Sequence, residues 1–453
     1  MKKLVALFLA AMMLCASVVA LAETPEGYPE IREGIDFGGK TIYIYDYWTS
    51  EAQAARKDDP NEEEQALYDY RDYIMEKLNC EIIQIQKGGW DTNVQELINF
   101  NAAPDDTLCM YILPPDFVGS PMVNNQFVAL NNEGSLVDWS DEKWNKGVSD
   151  FMTMDGKLYG VYAGADEPRQ GLYFNKRVLT EAGIEWESIY DMQAEGTWTW
   201  DVFEGMLKQI HKDIDNDGVT DIYGITGNNT DFALISVFAN GASFFDFDEN
   251  GKLVSTINSD AGLEALTWAK NIWNTYSAPQ PEGTDWNFFE DLFETGKQGF
   301  CCHQSYAGFN DGAVYSDMED EWGWVAMPTG PKGTGYTHIA TNNVTVIPSA
   351  IDVDTANKLA YVFDLWSNPT PGYDDEDAWA LQYYSRVSDD RMIEETYAML
   401  RHTGVMNKSL YLGDTNGVLG QDFLWNLFGS DPAAIIEAKT PAWEGALATF
   451  NAQ

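Results

Sequence analysis

The chain has 453 residues and carries 72 acidic against 27 basic side chains, for a formal net charge of −45. That length holds two or three domain-sized units with ample core. The acidity argues against nucleic acid and anionic membrane surfaces as partners and names no ligand.

Residues 1–22 have the three parts of a secretory leader. Lys2 and Lys3 are its basic start, residues 4–19 its apolar stretch, and Ala20-Leu21-Ala22 a small-residue cleavage site. Cleavage there takes the net charge to about −47 and implies a secreted, extracellular or periplasmic protein. Cys15 raises the question of a lipid anchor. Leu14 just before it fits a lipoprotein signal badly, so plain cleavage at Ala22 is expected. No later stretch is long and apolar enough for a membrane span. Cys80, Cys109, Cys301 and Cys302 match no disulfide scaffold and no zinc motif, and their default state is the buried thiol.

Residues 41–47 (TIYIYDY) are β-branched and aromatic and predict the first strand. Residues 62–78 form an amphipathic helix with Leu67, Tyr70, Ile74 and Leu78 on one face. A strand at 80–85, a helix at 93–101 and a strand at 107–113 follow. This β-α-β-α-β order predicts a mostly parallel, doubly wound sheet. Ligands of such sheets lie beyond the carboxyl ends of strands. Trp48 and Asp116 stand there and are candidate contacts, although a packed tryptophan and a turn aspartate would look the same.

Asp155-Gly156 between short apolar runs predicts a hairpin at 152–161. A strand at 172–174, an N-cap at Asn175 and a helix to about Ala182, stopped by Gly183, come next. Asp201 and Glu204 have capping-box spacing for a helix over 201–212, and Trp198 and Trp200 before them are expected to pack. Asp213, Asp215, Asp217 and Asp221 then alternate around Gly218. Carboxylate oxygens converging at a sharp turn are what calcium requires. Gly224 stands where an EF-hand would carry its bidentate glutamate, and the pattern is similar to short D-x-D-x-D-G-x-x-D calcium loops. The expected ligands are Asp213, Asp215, Asp217, Val219 and Asp221, holding a structural ion. An acidic Asx-turn loop is the other reading. Further on, helices are expected at 259–276 (with Leu263, Leu266, Ile272 and Trp273 facing the core), 288–294 and 354–366, and strands at 298–303 and 343–348.

The stretch 156–182, GKLYGV, a variable loop, then LYFNKRVLTEA, resembles the extracellular solute-binding proteins of ATP-driven importers, in the maltose-binding-protein-like group. TWTWDVF at 197–203, GKQG at 296–299, WGWVAMP at 322–328 and RHTGVM at 401–406 add to that resemblance in the right order. It implies an α/β, two-lobe periplasmic-binding-protein-like fold. Each lobe would be a mostly parallel sheet flanked by helices, with three hinge crossings. Residues 23–165 and 329–403 would form the first lobe, and 166–328 and 404–453 the second. It places Glu167 and Arg169 on a crossing loop facing the cleft, with Pro168 between them as a departure. It places Tyr306 as the aromatic packing on the ligand, with His303 and Gln304 as polar partners and His338 on the glycine-containing loop after the second crossing.

No nucleophile elbow, zinc-protease motif, phosphate-binding loop or dinucleotide fingerprint occurs. The resemblance therefore implies a binding protein, not an enzyme. It would be a monomer that captures a carbohydrate, an oligosaccharide in particular, and delivers it to membrane permease subunits. The 16 Trp and 23 Tyr suit sugar rings. A secreted glycoside hydrolase or polysaccharide lyase would share the acidity and the aromatics. A surface adhesion protein is disfavoured by the lack of repeats. The sugar, its length and its linkage stay open.

Overall fold

The computed structural model describes residues 24–375, 377–420 and 422–452. The expected leader at 1–22, with Cys15, lies outside the described residues.

In chain order the strands are β1 (Lys40–Asp46), β2 (Cys80–Gln86), β3 (Leu108–Leu113), β4 (Thr153–Met154), β5 (Lys157–Leu158), β6 (Gln170–Asn175), β7 (Tyr223–Gly227), β8 (Phe245–Phe247), β9 (Leu253–Ser255), β10 (Gln298–Gln304), β11 (Trp322–Val325), β12 (His338–Ala340), β13 (Val344–Val346) and β14 (Gly404–Met406). The first sheet has the order β13-β3-β1-β2. Ile42 on β1 lies opposite Ile82 on β2 and Leu108 on β3, all parallel, and β13 closes the sheet antiparallel to β3. The helix Glu62–Leu78 buries Tyr70, Ile74 and Leu78 on this sheet and is capped by Asn61, whose side chain accepts the Glu64 N–H.

The second sheet has the order β11-β6-β10-β7. β10 is parallel to β7, but β6 runs against both β10 and β11. The expectation of mostly parallel sheets thus holds for the first sheet and not for the second, because β6, the strand entering from the first lobe, opposes both its neighbours. All six residues of β6 are buried, as suits a strand covered on both faces. Gly171 on β6 is required by packing, since a Cβ there would sit 2.4 Å from the Trp324 ring. Asn175 caps the helix Lys176–Glu181 through the Val178 N–H, and Gly183 stops it at φ +82°.

Trp198 and Trp200 are buried, Trp200 stacking on Trp268 at 4.1 Å. That stack begins the next helix at Trp200, with extended Thr199 before it, so the expected Asp201–Glu204 capping box is replaced by a start two residues ahead of Val202. Asp155 and Gly156, at φ +50° and +74°, make the expected turn between β4 and β5. All four described cysteines are free thiols.

Three chain segments meet between the sheets. β12 and β14 pair in parallel, and the Asp166 N–H donates to the Arg401 carbonyl at 2.9 Å. The buried Asp166 carboxylate accepts from Asn145 Nδ2 (2.9 Å), Asn342 Nδ2 (2.5 Å) and the Gly404 N–H (3.1 Å). A Cβ at Gly404 would lie 2.3 Å from Asp166 Oδ2. Residues 329–336 stay with the second lobe, where Gly330 N–H donates to the Ala239 carbonyl and Trp198 N–H to Tyr336 Oη. Part of the segment assigned to the first lobe also packs on the second. Tyr190 Oη donates to Asp389, Gln193 to Thr396, and Tyr397 lies against Trp324.

Candidate functional site

A cleft of about 1300 Å³ opens where strand ends from both sheets converge. Asp116 follows β3, Gly227 ends β7, Gln304 ends β10 and Thr341 follows β12, and all four line it. This is where an open α/β sheet presents ligand contacts. The polar floor has a local cause. β7 stops at Gly227 and the helix Asn229–Ala239 starts at once, with Asn228 as its N-cap, accepting the Asp231 N–H through Oδ1. The apolar body of that helix must point into the core. Its polar first turn, Asn228 to Asp231, is therefore left facing the cleft. The lining also carries Trp273 from the end of the helix Asp260–Tyr276, Trp286 from the loop after it, and Trp425 from the C-terminal segment. Trp286 is 62% exposed and Trp425 52%.

Asp231 is buried and accepts from Gln304 Nε2 at 2.9 Å; desolvation pushes its carboxyl up from the usual range. Asp116 is raised for the same reason, with Asp414 adding to it. Among the described residues no Lys, Arg or His lines the cleft. The surface offers amides, hydroxyls, two hard-to-ionise carboxyls and three indoles.

Of the sequence candidates, Asp116 and Gln304 stand in this lining. Trp48 does not; it lines a separate cavity of about 680 Å³ on the first lobe. Its neighbour Tyr47 is the ring that turns toward Asn343, donating to Oδ1 at 2.9 Å. Glu167 and Arg169 pair with each other at 3.1 Å outside the lining. Tyr306 is half-buried there too, its ring 5.2 Å from His303, and burial raises its hydroxyl. His303 is buried behind the wall, with Nε2 3.2 Å from Glu290 Oε1. His338 is buried at the hinge, 3.8 Å from Asp166 Oδ2. Burial lowers both imidazoles, and neither reaches the cleft surface.

Asn228 to Asp231 carried a readable signal, four polar residues between a strand and an apolar helix. Trp273 was expected to face the core; it is half-buried between core and cleft, packed on Phe232 at 5.3 Å. Trp286 and Trp425 sit in loop-rich segments without periodicity, and only the tertiary fold brings them here.

Away from the cleft, carboxylate oxygens of Asp213, Asp215 and Asp221 lie within 4.8 Å of one another. Asn216 at φ +61° and Gly218 at φ +90° make the turn that gathers them. Asp217 is not in that group; its Oδ1 accepts the Val219 N–H at 2.8 Å. Among the described residues no helix is long and apolar enough to cross a membrane.

Residues 83–363 match the family model described as bacterial extracellular solute-binding protein. No curated protein matches the chain. Among solved structures it is similar to the cyclic alpha-maltosyl-1,6-maltose binding protein from Arthrobacter globiformis, at 17% identity and TM-score 0.61 over 92% of this chain and 100% of that one. It is also similar to the maltose-binding protein MalE from Listeria monocytogenes in complex with maltose, at 15% identity and TM-score 0.57 over 90% and 98%. A third is an ABC substrate-binding protein from Listeria monocytogenes in complex with cycloalternan, at 17% identity and TM-score 0.54 over 89% and 98%. At these identities the likeness bears on the fold, whereas the family match spans more than half of the sequence: the chain belongs to the bacterial extracellular solute-binding proteins.

Proposed function

We propose that the chain is the carbohydrate-capturing component of an ATP-driven importer. It would bind an uncharged oligosaccharide between its lobes and hand it to membrane permease subunits as a monomer. The observation that carries this reading is the cleft lining, three tryptophans together with amides and hydroxyls and, among the described residues, no cationic side chain. The C–H faces of a sugar ring stack on indoles and its hydroxyls need directed polar partners. Anionic sugars would meet Asp116 and Asp231 with no counter-charge. The three similar structures named above are described as binding cycloalternan, cyclic alpha-maltosyl-1,6-maltose and maltose, which supports a carbohydrate ligand here. Closure would follow from tighter binding of the sugar to the closed form, with the crossing segments around Asp166 absorbing the motion.

Cleavage after Ala22 would release the protein outside the cytoplasmic membrane. Asp213, Asp215 and Asp221 fit a calcium ion, since hard carboxylate oxygens gathered on one turn are its usual ligands. The ion would pin the loop and take no part in sugar binding.

Glycoside cleavage is the second reading, because Asp116 and Asp231 are two raised carboxyls lining one cleft. Thermal unfolding against neutral, amino and uronic sugars tests the first. A ligand at a hundredfold excess over Kd adds ~2.7 kcal/mol of stability. A shift with neutral oligosaccharides supports the proposal, and no shift with any of them contradicts it.

A further inference from the structure

The cavity that Trp48 lines shares no residue with the cleft. It lies along β2, the edge strand of the first sheet, beneath the short helix Glu51–Ala54. Its walls are aromatic and basic, with Trp48, Tyr68 and Trp366 beside Arg56 and Arg71. The two arginines differ. Arg56 makes a bidentate pair with Asp72, at 2.8 and 2.5 Å. Arg71 has no carboxylate within ion-pair distance and no side-chain hydrogen bond among the described residues, and its Nε is buried without a partner. Its guanidinium carbon instead lies over the Trp366 ring, 4.1 Å from the centroid.

An unpaired, half-buried guanidinium is costly, because burial removes its water and nothing replaces it. Desolvation and the neighbouring Arg56 charge both push Arg71 below its ordinary range. In this chain acids outnumber bases by 72 to 27, so leaving such a cation unpaired is not for want of carboxylates. Glu51 and Glu81 line the same cavity without pairing with it, and they repel a ligand of high negative charge. The contact with Trp366 holds the guanidinium by its face, and its N–H groups, without a partner among the described residues, are available to an incoming oxyanion. Trp48, 42% exposed, and Tyr68 supply flat apolar surface alongside.

We propose that this cavity is a second ligand site, for a small monocarboxylate that carries a flat apolar face. The carboxylate pairs with Arg71 and the face lies on the aromatic wall. A ring carboxylate of either kind has this chemistry, an aromatic acid or a uronic acid. The site does not depend on what fills the cleft.

The test is calorimetric titration of the full mature chain with benzoate and with glucuronate, each against its uncharged counterpart, benzyl alcohol and glucose. The result expected is saturable one-site binding of at least one of the two acids, with its counterpart binding at least roughly tenfold more weakly. Arg71→Met should weaken that binding by the same factor. It should leave the response to neutral oligosaccharides unchanged, which also shows that the variant is folded. Should Arg71→Met fail to fold, Arg71→Lys carries the test, because it keeps the charge, loses the fork and should weaken binding severalfold. Benzoate against glucuronate identifies the ring. The proposal is overturned if neither acid binds saturably, if the uncharged counterpart binds as well, or if the Arg71 variant binds the acid as wild type does.

Discussion

Asp231 is placed by local necessity, since a helix whose body is apolar turns its polar first turn outward, and here outward is the cleft. Its carboxyl is raised by burial, so the ionised form is held at a cost to the free protein that a sugar hydroxyl can offset. Asp231→Asn should lower affinity for a neutral oligosaccharide roughly tenfold or more while leaving the melting temperature of the free protein equal or higher. Titration calorimetry and a thermal melt read the two effects, and unchanged affinity would remove Asp231 from the site. His338 has the opposite sign of titration. Burial holds it below the ordinary 6.5, so the neutral ring is the folded form. As pH drops through about 6.5 the unfolded chain takes up that proton more readily, and stability falls. Melting temperature from about pH 7 to about pH 5 should fall less steeply in His338→Gln than in wild type; parallel curves would show that His338 does not contribute.

Elements were legible where periodicity and capping agreed. The helix at 62–78, the strands at 41–47 and 107–113 and the Asn175 cap could be read because each side chain answers mainly to its own element. The site was legible in part: the strand-end rule reached Asp116 and the resemblance reached Gln304, but the rule chose Trp48 where Tyr47 turns toward Asn343. Position in the chain does not say which of two adjacent rings faces which lobe. His303 and His338 were candidates as polar residues near the expected contacts, yet burial takes both out of reach. Trp286 and Trp425 have no local signature because the cleft wall is assembled from distant loops. The acidic loop is a local feature and can be tested alone. Millimolar calcium should raise the melting temperature of the mature protein, and Asp215→Asn should abolish that rise without altering sugar affinity. A rise that persists in Asp215→Asn would place the ion elsewhere.

At the scale of the whole molecule, two sheets of different topology are joined by three segments meeting around one buried carboxylate, Asp166, and the candidate site is the cleft where their strand ends converge. The resemblance to solute-binding proteins could be read from the order of loose motifs along the chain. Which side residues 329–336 and 389–397 pack on could not, because their contacts with Trp198, Ala239, Tyr190 and Gln193 leave no mark in composition. The central claim is that this cleft holds an uncharged oligosaccharide and returns it intact. Titration calorimetry of the mature chain with a series of neutral oligosaccharides, followed by chromatography of the recovered sugar, tests it most directly. Saturable one-to-one binding with the sugar recovered whole is the result predicted. Absence of saturable binding across the series, or recovery of shorter products, would contradict it.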